Sequence, residues 1–356
     1  MKFTYSPPKR LNTTQATYAR AQRSLDSYRG GTAEVPSEAS LRAASSEASP
    51  SAAGPSDSAK SLAERADRAA RAGDVAEAEM LYRKAVEAHD HQLLSAAEGG
   101  ATARDGMLMD ALRSSAGLAR ILRAQGRCDE AESIYRSALA RAEAWLGPNH
   151  PGTLKVANFL ALLLSEQGRP EAKELLRRAL AGFEQAAGSR HPDTLSIVSN
   201  LANLHADMGE LDEAASLYRR ALEGFEDALG HTHPATLSSV NGLGTLLAEM
   251  GQLEQAAPLV QRALDGHEAN LGPSHPETLS SVHNMATLLA DIGSLGDAAP
   301  LFRRALEGRA AVLGPQHPAT CATVHGFARL LRDQGDAQAA DALLTEYDAP
   351  LEAAPA

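Results

Sequence analysis

Leu271-Gly272-Pro273-Ser274-His275-Pro276-Glu277-Thr278-Leu279 returns along this chain in near-copies. The His-Pro step stands at His150, His191, His233, His275 and His317, at intervals of 41, 42, 42 and 42 residues. Eighteen residues after each of these histidines comes a glycine: Gly168, Gly209, Gly251, Gly293 and Gly335. Upstream, Gly73 and Gly126 open the same kind of second half without the His-Pro step. Self-similarity at a fixed period marks an array, whose units bury their apolar faces only against their neighbours.

Each unit reads as two helices. Leu237, Val240, Leu243, Leu246 and Leu247 follow the three- and four-residue spacing of an apolar stripe. Pro234 suits the first turn, where its missing N–H costs nothing, and Gly251 stops the helix. A second stripe runs through Ala214, Leu217, Tyr218, Ala221, Leu222, Phe225 and Leu229 and ends at Gly230, a C-cap residue. Only about three residues join the helices of a pair, so they are expected to lie antiparallel.

Composition supports the same class. Hydrophobic residues make up 44% of the 356 but aromatics only 4%, so the core must be mainly Leu and Ala, the best helix formers. A net charge of −11 argues against nucleic acid or an anionic membrane as the main partner. Cys128 and Cys321 cannot make a disulfide framework or a familiar zinc site, and they fit a reducing, cytoplasmic setting. No run approaches 18 apolar residues, so no membrane span is expected.

The ends read differently. From Gly30 to Ser58, 21 of 29 residues are Ser, Ala, Pro or Gly, too little apolar surface to offset ordering entropy. Residues 1–58 are therefore expected to be a disordered tail, and 348–356 a second one. Residues 1–25 carry Lys2, Lys9, Arg10, Arg20 and Arg23 and no acid. Leu11, Tyr18 and Leu25 recur every seven residues there, with Thr14, Ala21 and Tyr28 beside them. The segment fits an ordinary basic tail, a docking helix or an organellar transit peptide.

Counting from the mid-unit glycine, a small residue comes five later, a bulky one nine later and an alanine twelve later. Ala131, Tyr135 and Ala138 fit this, as do Ala214, Tyr218 and Ala221, Ala298, Phe302 and Ala305, and upstream Ala78, Tyr82 and Ala85. Leu118-Ala119 and Leu201-Ala202 stand where a Leu-Gly pair is usual. The pattern resembles the tetratricopeptide repeat, in the 42-residue variant of kinesin light chains, over about residues 60–345 and seven helix pairs. The second half after Gly168 is one residue short, and the last unit decays at Leu344 and Tyr347, as a solvent-facing cap would.

The resemblance implies an all-α fold, a right-handed α-solenoid of stacked antiparallel helix pairs over 59–347. It also implies a protein-interaction scaffold that takes an extended peptide or partner protein in its concave groove. Kinesin heavy chain is not implied as a partner, because a long heptad coiled coil ahead of the repeats is missing.

Histidines on successive stacked units lie roughly 10 Å apart, whereas zinc needs ligands about 2 Å from one centre. They read as helix-capping junction residues. His89, Asp90 and His91 make a weak metal candidate, and His205 reads as a hydrogen-bonded core residue. Phosphate loops, nucleophile elbows and zinc-protease motifs are missing, so no catalytic residue, metal or cofactor is expected. A cryptic enzyme or metal protein is the reading from another class.

The family's groove positions fall on the first helix of each pair. Eight residues after the histidine stand Asn158, Ser199, Asn241, His283 and His325; nine after, Phe159, Asn200, Gly242, Asn284 and Gly326; twelve after, Leu162, Asn203, Thr245, Thr287 and Arg329. Asn is a poor helix former. Its recurrence here fits either an amide clamp on an extended peptide or a bond to a neighbouring helix. Sixteen residues after the histidine is always acidic: Glu166, Asp207, Glu249, Asp291 and Asp333. These acids would favour a basic or neutral peptide. They also leave open a self-associating or autoinhibited adaptor, whose own basic N-terminal segment fills the groove.

Overall fold

The structure, a computed structural model, describes residues 58–95 and 101–348. The tails expected at 1–58 and 348–356 lie outside the described residues, except Ser58, which caps the first helix, and Asp348, which ends the last. The chain divides into two compact units at Gly188–Ser189. The first contains α1 (Ala59–Ala72), α2 (Val75–Ser95), α3 (Ala101–Ala124), α4 (Cys128–Leu146), α5 (Pro151–Glu166) and α6 (Glu171–Ala187). The second contains α7 (Pro192–Asp207), α8 (Leu211–Leu229), α9 (Pro234–Glu249), α10 (Leu253–Leu271), α11 (Pro276–Ile292), α12 (Leu295–Leu313), α13 (Pro318–Asp333) and α14 (Ala337–Asp348). No strand occurs among the described residues. Within each unit, helices adjacent in sequence pack together, and successive first helices also touch. The fold is an all-α solenoid of helix pairs.

The junction motif is a set of interlocking caps. Each histidine is the N-cap of a first helix, and its Nδ1 accepts from the backbone N–H two residues on, at 3.1 Å for Gly152, Ala235 and Ala319 and 3.2 Å for Asp193 and Glu277. The following proline takes the first helical position. The threonine turns back: Thr153, Thr236, Thr278 and Thr320 each donate at 2.8 Å to the carbonyl of the glycine that closed the preceding helix. The leucine after it reaches across its pair to a second-helix glycine, as Leu237 does to Gly266 and Leu279 to Gly308. One nine-residue stretch thus ends a helix, starts the next and docks it. The turn inside a pair needs a left-handed residue, supplied for instance by Gly209 at φ 78°.

Packing between pairs explains the rest of the period. The bulky residue of a second helix points at the next first helix, nine residues after its histidine or the equivalent place. Tyr82 meets Gly117, Tyr218 meets Gly242 and Phe302 meets Gly326, while Tyr135 stacks on Phe159 with centroids 6.2 Å apart. A Cβ on Gly242 would sit 2.6 Å from Tyr218 Cε1, inside any tolerable contact. Gly242→Val should therefore destabilise the second unit by about 1–3 kcal/mol. The Gly242→Val, Tyr218→Leu double variant should recover most of that in a denaturation series. Equal stability of the wild type and the single variant would contradict the packing described.

The last pair closes the array. Leu344 and Tyr347 stand where a bulky residue and an alanine recur elsewhere, and both pack half-buried against the final apolar cluster with Phe302 and Phe327. A further substitution runs through the second helices at the residue following their glycine: Phe183, Phe225, His267 and Arg309. All four are buried, and Arg309 is 0% exposed. His267 Nδ1 shares a 2.8 Å hydrogen bond with Ser281 Oγ. The Arg309 guanidinium donates to Ala319 O at 2.9 Å, Thr323 Oγ1 at 2.7 Å and Ser280 Oγ at 3.0 Å.

Candidate functional site

First helices are apolar nearly all round, because they pack against their own partner and both flanking pairs. In the second unit one stripe escapes. Ser199, Asn203 and Asp207 on α7, Thr245 and Glu249 on α9, His283, Thr287 and Asp291 on α11, and His325, Arg329 and Asp333 on α13 are half-buried or exposed. They fall at successive four-residue steps, which places them on one helix face. Thr245 and Thr287 return their hydroxyls to Asn241 O at 2.9 Å and His283 O at 3.0 Å, so their methyl groups line the surface.

The asparagines divide between this surface and the packing behind it. Asn241 and Asn284, on successive first helices, are both buried and come together: Asn284 Nδ2 donates to Asn241 Oδ1 at 3.0 Å. Asn203 Oδ1 accepts from the Tyr218 hydroxyl of its own pair. Asn200, at the ninth position of α7, is also buried. Bonds to neighbouring helices therefore account for Asn203, Asn241 and Asn284. Asn158 and Glu166 belong to the first unit, where Asn158 is half-buried and Glu166 is exposed.

Arginines temper the acidic series. Glu166 pairs with Arg123 at 2.8 Å, and Asp291 with Arg329 at 2.6 Å. Arg329 also lies 3.9 Å from Asp333. The rings of His283 and Phe302 meet in a T-shaped contact, with centroids 5.5 Å apart and planes at 77°. Burial, with the positive Arg309 nearby, holds its imidazole well below the ordinary histidine range. His283 is thus a neutral polar contact on the stripe at pH 7. His205 is buried, with its Nδ1 2.5 Å from Glu210 Oε2. His89 is buried and shifted downward, chiefly by desolvation. Among the described residues, no group of three or more His, Cys, Asp and Glu side chains is placed to share a metal ion. None of their helices is long and apolar enough to cross a membrane.

The model of the tetratricopeptide repeat matches this chain in overlapping stretches, at residues 110–185, 170–227, 193–269, 237–311 and 277–347. The chain belongs to the tetratricopeptide repeat family. Solved structures repeat the likeness. BtubC (BKLC) from P. vanneervenii is 24% identical with a TM-score of 0.53, over 65% of this chain and 92% of that one. Nearly identical TPR-like repeats of a kinesin-light-chain type from Podosopora anserina are 27% identical with a TM-score of 0.47, over 57% and 96%. The quorum sensor NprR, solved with its cognate peptide NprX, is 13% identical with a TM-score of 0.53, over 84% and 91%. A search of the curated proteins finds no match.

Two features of this tetratricopeptide repeat chain escape a stripe count on the sequence. The ninth position belongs to packing, which the recurrence of glycine there (Gly117, Gly242 and Gly326) signals once the facing Tyr or Phe is known. The polar side chains His267 and Arg309 replace phenylalanine in the core, and only alignment of the second helices on one another exposes that.

Proposed function

We propose that this chain is a non-catalytic interaction scaffold, and that the first-helix stripe of residues 189–335 receives an extended peptide or a partner's peptide-like segment. The observation that carries the reading is the stripe itself. On helices otherwise consumed by packing, four repeats in a row keep an uncovered polar face, at three places on α7, α11 and α13 and at two on α9, where Asn241 is buried. Serine, threonine, histidine and asparagine there offer donors and acceptors to a peptide backbone without demanding one side-chain sequence. Family membership supports a protein or peptide as partner, and a related fold holds a peptide in the NprR–NprX complex. Acids outnumber bases along the stripe, four (Asp207, Glu249, Asp291, Asp333) against one (Arg329), which favours basic or neutral ligands.

A panel of extended 15-residue peptides, basic, neutral and acidic, titrated onto the full chain tests this. Basic and neutral members should bind, and raising salt should weaken the basic ones most. Thr245→Tyr with Thr287→Tyr fills the middle of the stripe without removing a buried partner, and should lower binding at least tenfold at unchanged thermal stability. Binding that survives both substitutions, or a preference for acidic peptides, would overturn the proposal.

A further inference from the structure

The turns that join the helices of each pair form an edge, and its chemistry differs between the two units. In the first unit the edge is self-neutralising. The residue after the turn glycine is Asp74 at the first turn and Arg127 and Arg169 at the next two, and these arginines reach the preceding second helix, Arg127 to Glu79 at 2.8 Å and Arg169 to Glu132 at 3.9 Å. Gln125 donates to the same Glu79 at 2.9 Å. In the second unit, Glu210, Gln252 and Ser294 occupy the arginine place. The residue before the glycine, glutamine at Gln125 and Gln167 in the first unit, becomes Met208, Met250 and Ile292 in the second, and is glutamine again at Gln334 in its last turn.

Gln334 Nε2 donates to Leu295 O at 3.1 Å, so a side chain at this place lies over the start of the preceding second helix. Met208, Leu211, Met250, Leu253, Ile292 and Leu295 therefore make a row along the edge. Met208 and Ile292 are each 49% exposed, and Met250 and the leucines are half-buried. Within 207–213, 249–255 and 291–297 the sequence has eight acids and no lysine or arginine; Asp291 is met by Arg329, and Glu210 lies against His205. Apolar knobs at one-repeat intervals, framed by carboxylates, call for a basic amphipathic segment.

We infer that the occupant is the chain's own residues 9–29, docked in cis along this edge. The segment carries Lys9, Arg10, Arg20, Arg23 and Arg29 against the single acid Asp26, a net of +4. Its apolar residues Leu11, Tyr18 and Leu25 recur every seven positions, which on a helix is about 10.5 Å. Turns one repeat apart are about 10 Å from each other by helix packing distances. Three apolar side chains of the segment thus fall in register with three turns, and its arginines fall among their carboxylates. The 28 residues between Arg29 and Ser58 reach up to ~95 Å when extended. This edge shares Asp207, Glu249 and Asp291 with the end of the first-helix stripe, but its apolar row from Met208 to Leu295 lies outside the stripe and does not depend on what the stripe binds.

Amide hydrogen exchange on the full chain decides the matter. In one variant Leu11, Tyr18 and Leu25 all become serine, which leaves residues 58–348 untouched. In the other, Met208→Gln and Ile292→Gln install the residue that Gln167 and Gln334 already place there. Amides of 208–213, 250–255 and 292–297 should exchange at least fivefold faster in both variants than in the wild type, with the rest of the solenoid unchanged. Tenfold dilution of the wild type should leave the protection as it was. Equal exchange in the wild type and the serine variant overturns the inference. Protection that fades on dilution also overturns it, because the occupant would then be a second copy.

Discussion

Arg309→Ala should destabilise the second unit by about 3 kcal/mol, while Arg309→Phe should cost less than about 1 kcal/mol. Alanine removes a fully buried side chain from between α11, α12 and α13 and leaves a cavity that packed helices cannot collapse. Phenylalanine is what the array itself places at Phe183 and Phe225. The acceptors that Arg309 leaves behind do not become orphans. Thr323 Oγ1 also donates to Ala319 O at 3.0 Å, and Ser280 Oγ donates to Pro276 O at 3.0 Å. The guanidinium therefore supplies volume that phenylalanine restores, and its loss relieves the desolvation of a buried cation. Thermal or denaturant midpoints of the three proteins check this. If both variants fall equally, the guanidinium hydrogen bonds matter more than the volume.

Most of the fold is legible in the sequence because the repeat is redundant. A single Leu-Gly-Pro-x-His-Pro-x-Thr-Leu stretch would be weak evidence, but the recurrences let each residue be assigned a task from its constancy across the array. The helix pairs, the proline at the first helical position and the closing glycine all stand where the period puts them. His-Pro histidines serve as N-caps, whose acceptor role a lone His-Pro would not reveal.

The binding surface is less legible, for a physical reason. An asparagine on a helix looks the same whether its amide meets a peptide or a neighbouring side chain. Asn241 and Asn284 satisfy one another across repeats, so the amide recurrence that draws attention to them arises partly from packing. The acidic series is likewise visible in the sequence, yet its neutralisation by Arg123 and Arg329 depends on helices that lie dozens of residues away. What survives as surface is the four-residue stripe, recognisable once burial has removed its neighbours.

Acidification should weaken the second unit through His267, and His267→Phe should abolish that component. The imidazole is 2% exposed, and burial, reinforced by the charge on His275, lowers its pKa from 6.5 to about 4. Glu277 Oε2, 3.9 Å from Nε2, is too distant to reverse the shift. The unfolded chain takes up a proton near pH 6.5 that the folded chain refuses until about pH 4. The unfolded state binds more protons throughout that window, so stability rises with pH across it. The contribution is complete above about pH 6.5 and is lost at about 1.4 kcal/mol per unit on the way down, close to 3 kcal/mol by pH 4. Phenylalanine is a fair replacement because Phe225 already occupies the equivalent place in the preceding repeat, where Ser239 stands in the position of Ser281. His283, also depressed, titrates in both proteins and cancels in the difference. Relative to the wild type, the variant should gain about 2–3 kcal/mol between pH 7.5 and pH 4.5, read from denaturant midpoints at each pH. A difference between the two proteins that does not change with pH would show that His267 accepts its proton in the fold.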